Sequence, residues 1–328
     1  MTEQLAGRQK EQLNRQQNKQ QPGREQVMYL LSLLLLAGLV WYLHRFTQPL
    51  QGDDSWFSTK LDVYTMPGYL VWRYENWTSR LLPETFLAIL THGHFLLWCL
   101  LDTALLLLLI TSLRELLGLP RTAQSIGMLT LMTAFVPVNI LYSAGWIATS
   151  TNYFWPLACG CYALLPLRRL ADHRPVRRPE YGSFTAALLF AANQEQMAAI
   201  LLLLYLGAIC GLYLQEHRST APAKRSHLPV YPLVLTALLV LSLVFIMTCP
   251  GNGLRETTEI RKWFPQFPQY GFGQKLLMGY LTTMVYYVAG VGHQLLFPVF
   301  SLILAVAVWS QCSVWWKRTA AVLPVIGT

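Results

Sequence analysis

VMYLLSLLLLAGLVWYLHRF, residues 27–46, is a 20-residue run whose only formal charge is Arg45. That is about the length an α-helix needs to cross ~30 Å of hydrocarbon. It reads as a membrane-spanning helix rather than a cleaved leader. The 26 residues before it exceed a short basic leader, and no small-residue cleavage site follows Trp41-Tyr42-Leu43. Working outward, the next polar stretch is Gly-Asp-Asp-Ser-Trp at 52–56. Asp53 and Asp54 therefore stand where the chain first leaves the membrane, a placement that points to chemistry at a lipid surface.

Composition extends the argument to the whole chain. With 54% hydrophobic and 12% charged residues in 328, several apolar segments are left over after any single soluble core is filled. The expected class is an all-α polytopic transmembrane helical bundle of about 8–10 spans. The net charge of +9 resides mostly in tails and short loops between apolar runs, so it reads as a topology signal and no nucleic-acid partner is expected. The six cysteines have no ligand-like spacing with histidine, and free thiols are expected, with Cys159-Gly160-Cys161 serving packing.

Residues 1–26, rich in Gln, Lys, Arg and Asn, predict a disordered basic cytoplasmic tail, and 27–328 a single transmembrane domain. Alternating crossings put 47–94 outside, a second span at 95–112, a third at 122–142 and a fourth at 153–167. The dense basic group Arg168, Arg169, Arg174, Arg177 and Arg178 then falls in the cytoplasm, as the positive-inside rule requires. The stretch 183–214 is about 48 Å long as one helix, too long for one ordinary span and too short for two. Asn193-Gln194-Glu195-Gln196 interrupts it, so two unequal helices are expected to meet there with Glu195 near membrane depth. A seventh span at 229–248 leads to an outer loop at 249–274, and 275–310 reads as a hairpin turning near Gly292-His293. A further span is expected to begin after Trp315-Trp316-Lys317-Arg318.

The unusual polar groups gather on the outer face. A carboxylate there can take a proton from an acceptor hydroxyl while arginine holds an anionic leaving group. Each candidate also has a plainer reading. Asp53-Asp54 can cap a juxtamembrane helix. Arg73 and Arg80 can anchor the interface beside Trp77, on one face of a helix over 72–82. Glu195 can sit in a surface turn, and Pro250-Gly251-Asn252-Gly253 can be a sharp turn before Arg255. His92 and His94 flank Gly93 without sharing a helical face or a zinc-like spacing with Cys or carboxylates.

Five motifs in order resemble an uncharacterised bacterial multi-pass family, a domain-of-unknown-function group that looks like a relative of the GtrII-type glucosyltransferases and the wider GT-C superfamily. They are Gly-Asp-Asp-Ser-Trp at 52–56, Arg-Tyr-Glu-Asn-Trp-Thr-Ser-Arg at 73–80, Thr-Asn-Tyr-Phe-Trp-Pro at 151–156, Asn-Gln-Glu-Gln at 193–196 and Cys-Pro-Gly-Asn-Gly-Leu-Arg at 249–255. The resemblance covers about residues 27–300 and implies an inverting transferase of the bacterial cytoplasmic membrane. Such an enzyme moves a sugar from a polyprenyl-phosphate carrier to an envelope glycan on the outer side. It implies Asp53 or Asp54 as catalytic base, or both as ligands of Mg2+ or Mn2+ in a metal-dependent version. It further implies Arg255 and Arg80 against the donor phosphate; Arg73 and Arg261 are further phosphate-binding candidates on the same outer face, with Asn193, Glu195, Asn252, Tyr153 and Trp155 in support. This chain is shorter than GT-C enzymes usually are.

Two other classes compete. A transporter or flippase of lipid-linked sugar or a small anion is motivated by Glu195 in a broken helix, and calls for polar groups on several spans along a central path. A noncatalytic scaffold of an envelope-polysaccharide assembly calls for recruitment through the basic tail.

Overall fold

The computed structural model describes residues 2–134, 144–218 and 230–288. Its regular structure is helical, with no strand among the described residues. The expected turn at Gly292-His293, the spans beyond residue 288 and the end of the third span lie outside them.

Helix α1 (Thr2–Leu43) passes into a 3-10 turn at His44–Phe46. Its apolar part, Gly23–Phe46, is long enough to cross a membrane. Helical backbone also continues through the Gln-rich segment where composition predicts disorder; Gln, Lys, Arg and Glu are all good helix formers. The first outer segment is folded as short helices, α2 (Asp53–Ser58), α3 (Lys60–Val63), α4 (Met66–Asn76) and α5 (Leu81–Thr91). Helix α4 starts where the Thr65 side chain accepts the Gly68 N–H, with proline in the first turn. It ends at Asn76, so the condition for Arg73 and Arg80 to share one helical face, a continuous helix over 72–82, is not met: a connection at 77–80 separates α4 from α5.

Helices α6 (Phe95–Leu116) and α7 (Ala123–Ala134) follow. The expected fourth span is built in pieces: α8 (Trp146–Thr149), a π-helical turn at Ser150–Phe154, α9 (Trp155–Ala163) and α10 (Leu165–Ala171). Pro156 and Pro166 lie just inside α9 and α10, each after helical backbone, where a proline's missing N–H interrupts the regular hydrogen-bond pattern and divides the run into pieces. Helices α11 (Arg178–Ala191) and α12 (Glu195–Arg218) are separate, and the polar quartet lies at their junction. Then come α13 (Val230–Met247), α14 (Pro250–Trp263) and α15 (Phe272–Val288). The expected outer loop at 249–274 is thus largely helix. Pro250-Gly251-Asn252-Gly253 starts that helix rather than forming a free turn, because proline suits the first helical position.

Four helical segments among the described residues are long and apolar enough to span a membrane: Gly23–Phe46, Phe95–Leu116, Glu195–Leu214 and Val230–Met247. They make this chain a candidate membrane protein, and their surfaces agree: Leu34, Leu35, Leu96 and Leu241 are exposed where acyl chains would cover them. Helix α9 packs between α6 and α11, while α12 lies along α13. The core at α9, α11, α12 and α13 is rich in small residues. Ala163, Ala191, Ala192 and Ala198 are fully buried there, letting helices approach closely around Leu188, Tyr205 and Leu239. A second core, around Tyr69, Leu87, Trp98, Ile147 and Trp155, glues the short helices at 53–91 to α6 and to the 146–155 segment.

Candidate functional site

Three stretches distant in sequence converge on one cavity of about 520 Å³: the first outer segment through α2, α4, the 77–80 connection and Glu84 of α5, the 144–153 segment, and Arg255 of α14. Two glycines bring the backbones together. Gly52 has a φ of 56° and Gly145 one of 117°, values that disfavour any side chain. A Cβ on Gly145 would lie 2.6 Å from Cγ of Asp54. The Asp53 N–H donates to the Ala144 carbonyl at 2.6 Å, clamping the start of α2 against this bend.

The two adjacent acids part company at this point. Asp54 is fully buried, and its two carboxylate oxygens accept the N–H groups of Ala148 at 2.7 Å and Ile147 at 3.1 Å. It caps α8 from another part of the chain, satisfying amides that the helix start leaves free. Burial raises its pKa most; the Ala148 and Ile147 amides work against that, the neighbouring Asp53 charge adds to it, and the carboxyl ends at about 6. Asp53 is exposed and lines the cavity.

Arg73 also lines the cavity, but it is buried and its guanidinium is committed to Glu84, whose other oxygen accepts the Tyr69 hydroxyl. Burial, and then the Glu84 charge, push the Tyr69 phenol well up, so it remains a donor to that carboxylate. The Arg73 guanidinium carbon sits 5.3 Å from the Trp56 ring and 5.5 Å from that of Phe57. Arg73 thereby supports the aromatic wall formed by Trp56, Trp72 and Trp77.

Arg80 and Arg255 share one acid. Arg80 Nε donates to Glu195 at 2.7 Å, and Arg255 donates to the other Glu195 oxygen at 3.3 Å. Two cations on one carboxylate leave an excess positive charge at the cavity wall. Burial disfavours the Arg80 cation, but its bonds to Glu195 and Tyr153 outweigh that and raise its pKa. The Tyr153 ring lies 5.5 Å from the Arg80 guanidinium carbon. Tyr153 belongs to the π-helical turn at Ser150–Phe154, a feature frequent at functional sites.

The remaining candidates hold this frame. Asn193 accepts the Leu82 N–H at 2.8 Å, tying the helix break to the start of α5. The Asn252 amide donates to Ser79 Oγ at 3.0 Å and to the Ile246 carbonyl at 2.9 Å, and its oxygen accepts the Ser79 N–H. A Cβ on Gly251 would stand 2.6 Å from the Tyr74 carbonyl oxygen, so α14 approaches α4 at a distance only glycine permits. Asp54, Asn193, Glu195 and Asn252 stand behind the cavity wall as partners of this frame, and two expected site residues belong to neither wall nor frame. Arg261 is exposed near the far end of α14, since the helix carries it away from Arg255. Trp155 is buried in the core with its indole N–H on Asp102 at 2.8 Å.

Asp102 and its second partner, His44 at 3.2 Å, are polar residues the sequence reading passed over. An acid inside an apolar 22-residue helix was the available signal for Asp102. Glu84 is readable from the sequence as one acid of the first outer segment, but its pairing with Arg73 and Tyr69 depends on how α4 and α5 pack. A divalent ion held jointly by Asp53 and Asp54 does not fit this arrangement: both Asp54 oxygens already accept backbone amides, and Glu84 is engaged by Arg73 and Tyr69. Among the described residues no group of three or more His, Cys, Asp or Glu is placed to hold a metal. No protein-family model matches the chain, and no curated protein or solved structure matches it.

Proposed function

We propose that this chain is a GT-C-like, membrane-embedded glycosyltransferase of about 8–10 spans that moves a sugar from a polyprenyl-phosphate carrier to an envelope glycan or lipid-linked acceptor. The observation that carries this reading is one cavity in which the Asp53 carboxylate and the Arg80/Arg255 pair meet beside an aromatic wall. An acceptor hydroxyl oxygen bonds to the anomeric carbon as the bond from that carbon to the phosphate oxygen breaks. Asp53 takes the hydroxyl proton, and the electron pair leaves with the polyprenyl phosphate, whose charge Arg80 and Arg255 offset. Inversion at the anomeric carbon follows from a single displacement. Trp56, Trp72 and Trp77 offer flat apolar faces for a sugar ring.

The charge pattern favours an N-terminus in the cytoplasm and a cavity on the outer side of a bacterial cytoplasmic membrane. The transport reading relied on Glu195 lining a path, and the pairing of both its oxygens with Arg80 and Arg255 favours a fixed anion clamp instead. Envelope glycan composition in a deletion strain tests the proposal. Loss of one sugar, restored by the wild-type gene and not by D53N, is the expected result; an unchanged glycan in the deletion strain would contradict it.

A further inference from the structure

A second cavity, of about 280 Å³, lies at the opposite end of α6, the end the charge pattern assigns to the cytoplasm. Four of its lining residues are arginines, Arg114, Arg121, Arg168 and Arg174, against two acids, Glu115 and Asp172. The acids are already shared. Asp172 accepts from Arg168 at 3.1 Å and from Arg174 at 2.6 Å, while Glu115 pairs with Arg169 at 3.1 Å and lies 3.8 Å from both Arg114 and Arg174. Among the described residues no acid pairs with Arg121, which is exposed.

Arg114 forms the inner wall. It is buried, its Nη1 donates to the Leu119 carbonyl at 3.1 Å, and among the described residues its Nε has no partner. That Nε is shut off from solvent, so Arg114 contributes fixed positive charge behind the recess, while the exposed Arg121 and Arg174 supply donors at its mouth. The positive φ of 68° at Gly118 folds the chain end of α6 back, so that a Cβ there would stand 3.0 Å from Arg168. The turn thereby presses Arg168 against the same recess. We infer that this recess binds a phosphate-bearing anion, and that its position at the mouth of a spanning helix suits the headgroup of an anionic phospholipid. Basic recesses between helices at a membrane surface recognise phosphate by charge-assisted bonds from arginine forks. The C-terminal carbonyls of α6 oppose an anion, and the excess of two positive charges among the lining residues outweighs them.

Full-length protein in mild detergent, analysed by native mass spectrometry with phosphatidylglycerol, phosphatidylcholine and inorganic phosphate, tests this. Phosphatidylglycerol is expected to bind roughly 10-fold or more tightly than phosphatidylcholine, at about 5-fold per arginine engaged. The exposed pair R121Q/R174Q should abolish most of that preference without altering the melting temperature. Displacement of the lipid by excess inorganic phosphate would assign the site to a free anion, and retention would assign it to the headgroup. Equal binding of the two lipids, or a preference unchanged in R121Q/R174Q, would overturn the inference.

Discussion

Asp53 and Asp54 differ by one position and by everything that matters chemically. Asp54 spends its oxygens on two backbone amides in a buried setting, whereas Asp53 faces the cavity. The folded-state pKa of Asp54 is raised from 3.8 to about 6, so the folded protein holds its proton more tightly than the unfolded chain. Stability is therefore greatest below about pH 4 for this group and falls as pH rises towards 6, by about 3 kcal/mol at most. Melting temperature measured across that window in detergent should show a decline that D54N removes. The same substitution should cost about 1–2 kcal/mol at neutral pH, because an Asn offers one acceptor where two amides need one each. Arg255 makes a different kind of prediction. Its side chain is 28% exposed and among the described residues its only side-chain hydrogen bond goes to Glu195, so R255Q should raise the KM for a lipid-phosphate donor roughly 10-fold while leaving the fold intact. Steady-state kinetics with the donor varied would measure it. The exit-point acids were legible in the sequence as a pair. Their separate environments were not, since nothing in adjacency says which carboxylate meets the amides of residues 147 and 148.

At the scale of elements, the close approaches matter more than propensity. Gly251 lets α14 meet the end of α4, where Asn252 and Cys249 bond to Ser79 and the Tyr74 carbonyl. G251A should cost about 2 kcal/mol or more through that clash and displace Arg255 with it, to be read as a lowered melting temperature together with weakened donor binding. A retained melting temperature would mean that the helices separate without penalty. The broken helix at 193–196 was readable from its length and its polar quartet, because a 32-residue apolar stretch fits neither one span nor two. The helical nature of 250–263 was not. Its Pro-Gly-Asn-Gly opening has the composition of a turn as well as a proline suited to the first helical position, and the helix it starts packs against α4. The π-helical turn at Ser150–Phe154 was not anticipated, although Pro156 just beyond it is a residue that interrupts regular helix.

For the whole molecule, composition and segment length set the class, and the described residues supply four helices able to cross a membrane. What neither could supply is the meeting of Arg80, Glu195 and Arg255, positions 115 and 60 residues apart along the chain. That convergence is the basis for placing a lipid phosphate opposite Asp53. The most direct test uses purified protein in lipid nanodiscs, a radiolabelled polyprenyl-phosphate sugar and an extract of envelope glycan, comparing wild type with D53N at matched folding. Transfer by the wild type and a loss of roughly 100-fold or more in D53N is the predicted result. Undiminished transfer by D53N would contradict the assigned base, and no transfer by wild type from any polyprenyl-phosphate sugar would contradict the proposed activity.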